Sequence, residues 1–340
     1  MLVLRRGTVR EAGDPEAAMQ RLVVEVEGAS SPAVAHVGLV GESHVGDEVV
    51  VNVQACELGL GSGGFDVVHV NLTRGLAGHG EAGVHVMKLN YTSLQHAVAP
   101  VEEQRGQAAV GGLVGMAGVF FLHGQLAPIC WALGEWTPGA RVGYVQTAGG
   151  ALPGALSEVV RDLRDRGLLA AHVTAGSSHG GEQEAITTAG ALDHGLGGAG
   201  WDVALCGPGP GILGSGSRLG HGGLAALDSA HAALALGHRT VIVPRMSSGD
   251  PRDRHRGVSH HTRTVLELLL TPAAVALPEH ERPPREAERH ELRYAAADLD
   301  GYLASGLPAR TMGRSLEEDP LFFAAALAGG AVLGDMIRRA

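Results

Sequence analysis

Three things are scarce in this chain, and each scarcity excludes something. Cysteine occurs only three times in 340 residues, as Cys56, Cys130 and Cys206. That is too few for a disulfide framework, and without a C-x-x-C pair a thiolate zinc site has no support. Reduced thiols in a cytoplasmic protein are expected. Aromatic residues make up 4% of the chain, which argues against a base-stacking nucleic-acid platform. Positive charge is also short, with a formal net charge of −10, whereas a general nucleic-acid binder needs a broad basic face. No nucleic-acid partner is expected. The opening "MLVLRRGTVREAGDPE" has no apolar stretch ahead of a cleavage site, so no signal peptide is expected. Apolar runs such as "AALAGGAVLGDM" read as too short for a bilayer, and no membrane partner is expected.

Apolar residues, at 45%, supply ample core, and the 52 glycines cluster after predicted strands rather than in repeats. That distribution suits sharp turns and close backbone approach. The first part, residues 1–107, reads as β-rich. Valine-rich runs at 21–28, 31–41, 46–55, 64–72 and 83–91 are separated by glycine, serine and proline turns, as in a small barrel or sandwich. The polar segment "VEEQRGQAAVG" (101–111) reads as a linker. Residues 108–280 alternate continuous apolar strands, glycine-rich loops and helices. This is the pattern of a Rossmann-like, doubly wound α/β domain with a mostly parallel sheet, of six strands on this reading. Residues 281–340 read as a helical C-terminal extension.

In such a sheet, ligands sit outside the carboxyl ends of the strands. Here those ends read "HGQ", "QTAGG", "TAGSSHGGE", "GPGPGILGSGSRLGHGG" and "RMSSGDPRDRHRGVSHHT", so functional groups should converge on one rim. Gly209, Gly211 and Gly214 satisfy G-x-G-x-x-G, but on the fourth strand and with two prolines that remove backbone donors. A glycine-rich loop offering N–H groups to an anion, from Gly209 to Gly216, is the preferred reading. Gly176 to Gly180 match G-x-S-x-G, which makes Ser178 a candidate nucleophile for a serine hydrolase. A polar turn is the plainer alternative. His123, His179 and His221 occupy other loops of the same rim, and each alone is more often a surface or hydrogen-bonding histidine.

The last loop is the richest. Ser259 suits an N-cap, which puts His260 and His261 in the first helical turn, where imidazolium is disfavoured. Neutral imidazole can accept a proton, polarise a carbonyl or bind a metal. Arg245, Arg252 and Arg256 suit a bidentate grip on phosphate or carboxylate. Asp250 would orient them, and Asp253 with His255 are candidate metal ligands. An exposed loop tied by its own Arg–Asp pairs is the bland alternative.

The segments "NVQACELGLGSGGFDVV", "HVMKLNYTSLQ", "GPGPGILGSGSRLGHGG", "DPRDRHRGVSHHT" and "TMGRSLEEDPLFFAAALAGG" resemble an uncharacterised bacterial protein family, a domain of unknown function. The resemblance spans most of the chain. It implies that the β-rich part, the sheet and the tail form one unit, and it supplies no reaction, substrate or cofactor. The sequence therefore favours an enzyme acting on a small anionic or phosphorylated metabolite, with His260 or His261 as acid/base. The rivals are a non-catalytic metabolite sensor or scaffold, and a metal-dependent or serine hydrolase. The cofactor stays unknown, and homo-oligomerisation stays open.

Overall fold

The computed structural model describes residues 1–16, 18–59, 63–78, 80, 82–104 and 114–339. Two compact units divide at Ala99 and Pro100. Most of the expected 101–111 linker, and the expected boundary at 107/108, lie outside the described residues. Val101–Gln104 form a short helix.

The first unit is a closed five-stranded barrel. Its strands are β1 (Leu4–Ala12), β2 (Met19–Val26), β3 (Ala29–His36), β4 (Glu48–Asn52) and β5 (Asp66–Asn71), in the spatial order β1-β2-β3-β5-β4. Pairing is antiparallel except between β3 and β5, and β4 closes onto β1. Alternation explains the closure: Val9, Leu22, Val24, Ala33, Ala35, Val49, Val51 and Val68 point inward and are buried. β1 was not legible as a strand because its outward face is charged. Arg6 meets Glu48 at 2.6 Å and Arg10 meets Glu25 at 3.0 Å. A hairpin, β6 (Val86–Lys88) with β7 (His96–Val98), follows the barrel.

The second unit is an eight-stranded, wholly parallel sheet. In chain order its strands are β8 (Met116–Val119), β9 (Val142–Thr147), β10 (Ala171–Ala175), β11 (Gln183–Ala185), β12 (Val203–Pro208) and β13 (Arg239–Ile242). A two-stranded excursion, β14 (Met246–Ser247) and β15 (Gly257–Val258), precedes β16 (Ala274–Pro278) and β17 (Glu291–Ala295). The spatial order is β11-β10-β9-β12-β8-β13-β16-β17. Six strands were expected, and the two additional ones are the edges. β17 falls in the segment read as helical.

Strand side chains alternate between two cores, as a doubly covered sheet requires. Val142, Tyr144, Val203 and Leu205 pack on one face with Leu126, Leu163, Phe322 and Leu333. Val145, Ala204, Cys206 and Ile242 pack on the other with Leu192, Ala230 and Val265. The helix Pro320–Arg338 is long and apolar enough to cross a membrane, contrary to the reading of its sequence, but most of it is buried inside this core. Gly330 lets it lie directly on the helix Leu126–Trp136, because a Cβ there would run into the Ile129 carbonyl and come within 3.0 Å of the Leu133 nitrogen.

Candidate functional site

Parallel register puts the loops after β8, β9, β10, β12 and β13 at one edge, and backbone hydrogen bonds join several of them. Leu213 N donates to Gly149 O at 3.0 Å, and Gly154 N to His179 O at 2.7 Å. Gln125 Nε2 donates to Pro244 O at 3.0 Å.

The β13 loop is the most elaborate. β14 pairs antiparallel with β15, so the chain returns to its start, and Ser259 N donates to Arg245 O at 2.9 Å. Ser259 Oγ then caps the next helix, His260–Leu268, by accepting from His261 N at 3.2 Å. Arg245 is thereby held 2% exposed, a buried cation that needs partners. Its guanidinium reaches Asp250 Oδ2 at 3.3 Å and His261 Nδ1 at 3.2 Å, and the Met312 sulfur lies 3.6 Å away. The Arg245 Nε has no hydrogen-bond partner. Burial lowers the Arg245 pKa to about 10, against the pull of Asp250.

Asp250 is the hub. Arg252 grips its carboxylate at 2.9 and 2.8 Å, Arg314 reaches it at 3.4 Å, and Arg256 Nε donates to its backbone carbonyl at 3.2 Å. Burial alone would raise this carboxyl, but the Arg252 hydrogen bonds outweigh it and hold Asp250 well below the carboxylate range. Asp319, also fully buried, supports the loop from behind. It accepts from Ser247 Oγ at 2.6 Å, Ser248 N at 2.8 Å, Gly249 N at 3.1 Å and Arg314 Nε at 3.0 Å. Three guanidinium groups, those of Arg245, Arg252 and Arg314, thus face two carboxylates.

Beside this network stands a group of histidines. The His221 and His261 rings stack at 3.8 Å, with His260 4.4 Å from His261 and His255 4.9 Å from His260. Burial, then neighbouring charge, lowers His260 to about 4 and His255 to about 3, and holds His221 and His261 below the ordinary imidazole range. Burial therefore favours the neutral imidazole at all four. Arginine can only donate, so its contact with His261 Nδ1 places the His261 proton on Nε2. His255 is anchored through Nδ1 on Ser259 Oγ at 2.8 Å. Both ring nitrogens of His221, and Nε2 of His260, are buried without a hydrogen-bond partner. One nitrogen from each of His221, His260 and His261 lies within 4.8 Å of the others, the one such metal-compatible group among the described residues.

The structure therefore brings Arg245, Asp250, His255, His260 and His261 together. Arg252 and Arg256 adjoin them with side chains about half exposed or more, Arg252 held by the Asp250 carboxylate and Arg256 by the Asp250 backbone carbonyl. Asp253 is away from the histidines, its side chain 99% exposed and 4.0 Å from Arg256. Gly209 is buried under Ala151, where a Cβ would strike the Ala151 carbonyl. Gly211, Gly214 and Gly216 are exposed on an excursion whose base closes through Gly222 N to Leu213 O at 2.7 Å. That excursion brings His221 to the site. Gly223 follows it, where a Cβ would stand 3.0 Å from His261 Nδ1 and 3.1 Å from His221 Nδ1.

Ser178 is fully buried, and its turn leads into the edge strand β11 rather than a helix, unlike the strand-to-helix elbow of a hydrolase. His123 belongs to a separate network, with Nε2 2.7 Å from Ser157 Oγ, while His172 stacks on Tyr144 and bonds Gln146 Oε1 at 3.1 Å. Met312, Arg314 and Asp319 were not anticipated; their only signal was the segment "TMGRSLEED" within the resemblance.

Fold and site define a two-part protein, a small barrel and a parallel α/β unit with an arginine–histidine cluster at its strand ends. The chain belongs to the family described as Protein of unknown function (DUF3866), which matches residues 32–330 and so takes in every residue of this cluster. No curated protein matches the chain.

Proposed function

We propose that the protein is an enzyme that binds a small anionic molecule, a phosphate or carboxylate, at the rim of the parallel sheet and moves a proton on it. The observation that carries this reading is the pairing of an unused, buried Arg245 Nε–H with neutral histidines whose buried nitrogens lack partners. Leaving such groups unsatisfied costs roughly 1–3 kcal/mol each, so a ligand that satisfies them is favoured. Arg245 would supply charge and a directed donor. His261, with its proton on Nε2, is a second donor. His260 is neutral and free to accept a proton. Burial is the main cause that depresses His260, with the positive field of His221 and the arginines adding to it; a bound anion would offset that added field and raise the His260 pKa from its depressed value.

The test is a melting-temperature screen of metal-stripped protein against phosphate, pyrophosphate, sugar phosphates and carboxylates. A ligand at about 100 times its dissociation constant stabilises by roughly 2.7 kcal/mol, a readable shift. Stabilisation by one anion class, lost in Arg245→Lys and followed by turnover that His260→Gln abolishes, is the expected result. Stabilisation with turnover intact in both variants would defeat the proposal, as would no response to any anion.

A further inference from the structure

We infer that His221, His260 and His261 form a three-histidine centre for a divalent transition-metal ion, with one coordination position left open for the anion. This rests on the anion-binding half of the reading above; with an ion bound, the lone pairs of His260 and His261 go to the metal, and proton transfer would pass from His260 to a group in the open position.

The donor set is the first argument. Three neutral imidazoles with no thiolate suit zinc, cobalt, nickel or copper, and three protein ligands plus an open position are the pattern of catalytic rather than structural zinc sites. The nitrogens lie within 4.8 Å of one another. Tetrahedral ligands about 2.0–2.1 Å from zinc stand roughly 3.4 Å apart, so closure needs shifts of about 1 Å. The second argument is the state of the ligands. His221 is 7% exposed, and neither of its nitrogens makes a hydrogen bond of good geometry, the Arg218 backbone carbonyl being its one polar neighbour with an effect on its charge; His260 Nε2 also lacks a partner. An ion would take one lone pair from each ring.

Two adjustments are required, and both have room. His221 and His261 are stacked with planes only 11° apart, and an ion cannot lie in two parallel ring planes 3.8 Å apart, so one ring must turn. His221 makes no hydrogen bond of good geometry, so turning it costs at most a weak interaction with the Arg218 backbone carbonyl, and Gly223 puts no Cβ beside it. A neutral imidazole has a single lone pair, so metal on either nitrogen of His261 exchanges the Arg245 contact for an ion–nitrogen bond. Arg245 retains Asp250 as its partner at 3.3 Å. The excess of guanidinium over carboxylate nearby then favours an anion in the open position.

The experiment uses the tag-free full chain, stripped with chelator, titrated with cobalt(II) chloride and followed by calorimetry and visible absorption. The expected result is one cobalt per chain with low-coordinate bands, weakened about tenfold or more in His221→Ala and His260→Ala. Exposed His280→Ala should bind as wild type does. Absent stoichiometric binding, or binding that survives both site variants, would overturn the centre. Circular dichroism checks the fold, and His221→Gln, which keeps more volume, replaces any variant that fails to fold. Anion stabilisation of the stripped chain without cobalt binding would overturn the metal centre alone. Cobalt binding without any anion response would leave the three-histidine centre standing and overturn the anion reading, and with it the assignment of the open position to an anion.

Discussion

Gly223 is where the site's chemistry depends most directly on the absence of an atom. A Cβ there would stand 3.0 and 3.1 Å from the Nδ1 atoms of His261 and His221, closer than most real side-chain contacts. Gly223→Ala is therefore expected to push both rings aside at an overpacking cost of roughly 1–3 kcal/mol, while abolishing cobalt and anion binding. Gly216, on the same excursion, has nothing within 4 Å of a built Cβ and no left-handed backbone. Gly216→Ala should stay within about 0.5 kcal/mol of wild type and bind normally. Melting curves with and without ligand compare the two. Equal binding by both variants would mean that the stacked rings take no part in recognition.

At the scale of elements, the long C-terminal helix does two jobs. It fills the core, and the residue at its start, Asp319, holds the β13 loop. Asp319 makes no side-chain cap for its own helix, and its carboxylate serves Ser247, Ser248, Gly249 and Arg314 instead. Asp319→Ala would leave Arg314 short of a partner and free residues 247–250, on which Asp250 depends. Removing one member of a buried charged pair typically costs 3–5 kcal/mol; because Arg314 retains some solvent, about 3 kcal/mol is expected, read from urea unfolding. A loss below about 1 kcal/mol would show that the loop stands without the helix. This coupling could not be read from sequence, since 72 residues separate Ser247 from Asp319. What was legible were the six central strands, because burial on both faces writes an unbroken apolar run. Edge strands lack that signature: β11 is "QEA", and "ELRYA" in β17 is mostly half exposed. Arg245, Asp250, His260 and His261 were legible because one loop carries them. His221 was legible only as a rim residue, since stacking on His261 is a property of the folded loops.

Over the whole molecule, histidine decides the response to acid. Burial, the largest cause in each case, lowers His123 and His260 to about 4 and His172 and His255 to about 3. In the unfolded chain each titrates near 6.5. Between about pH 6.5 and 4 the unfolded state therefore binds protons that the native state refuses, and stability falls as pH falls, by roughly 1.4 kcal/mol per unit for each histidine so held. Asp250 and Asp319 are also depressed, but as carboxylates their contribution is lost only below about pH 4. One effect opposes this. The net charge of −10 shrinks as surface groups protonate, which relieves self-repulsion. That repulsion is long-range and screened beyond about 8 Å at physiological salt, whereas the buried histidines are shielded from salt. Urea unfolding of the metal-stripped protein in 0.15 M salt should thus show stability dropping by several kcal/mol from pH 7.5 to 5. His172→Gln, which removes one such group, should reduce the slope by about one proton. A flat profile would mean that the native and unfolded chains take up protons alike, so that these imidazoles titrate in the native protein near their ordinary value; a slope indifferent to His172 would mean that this ring is not among the groups held neutral.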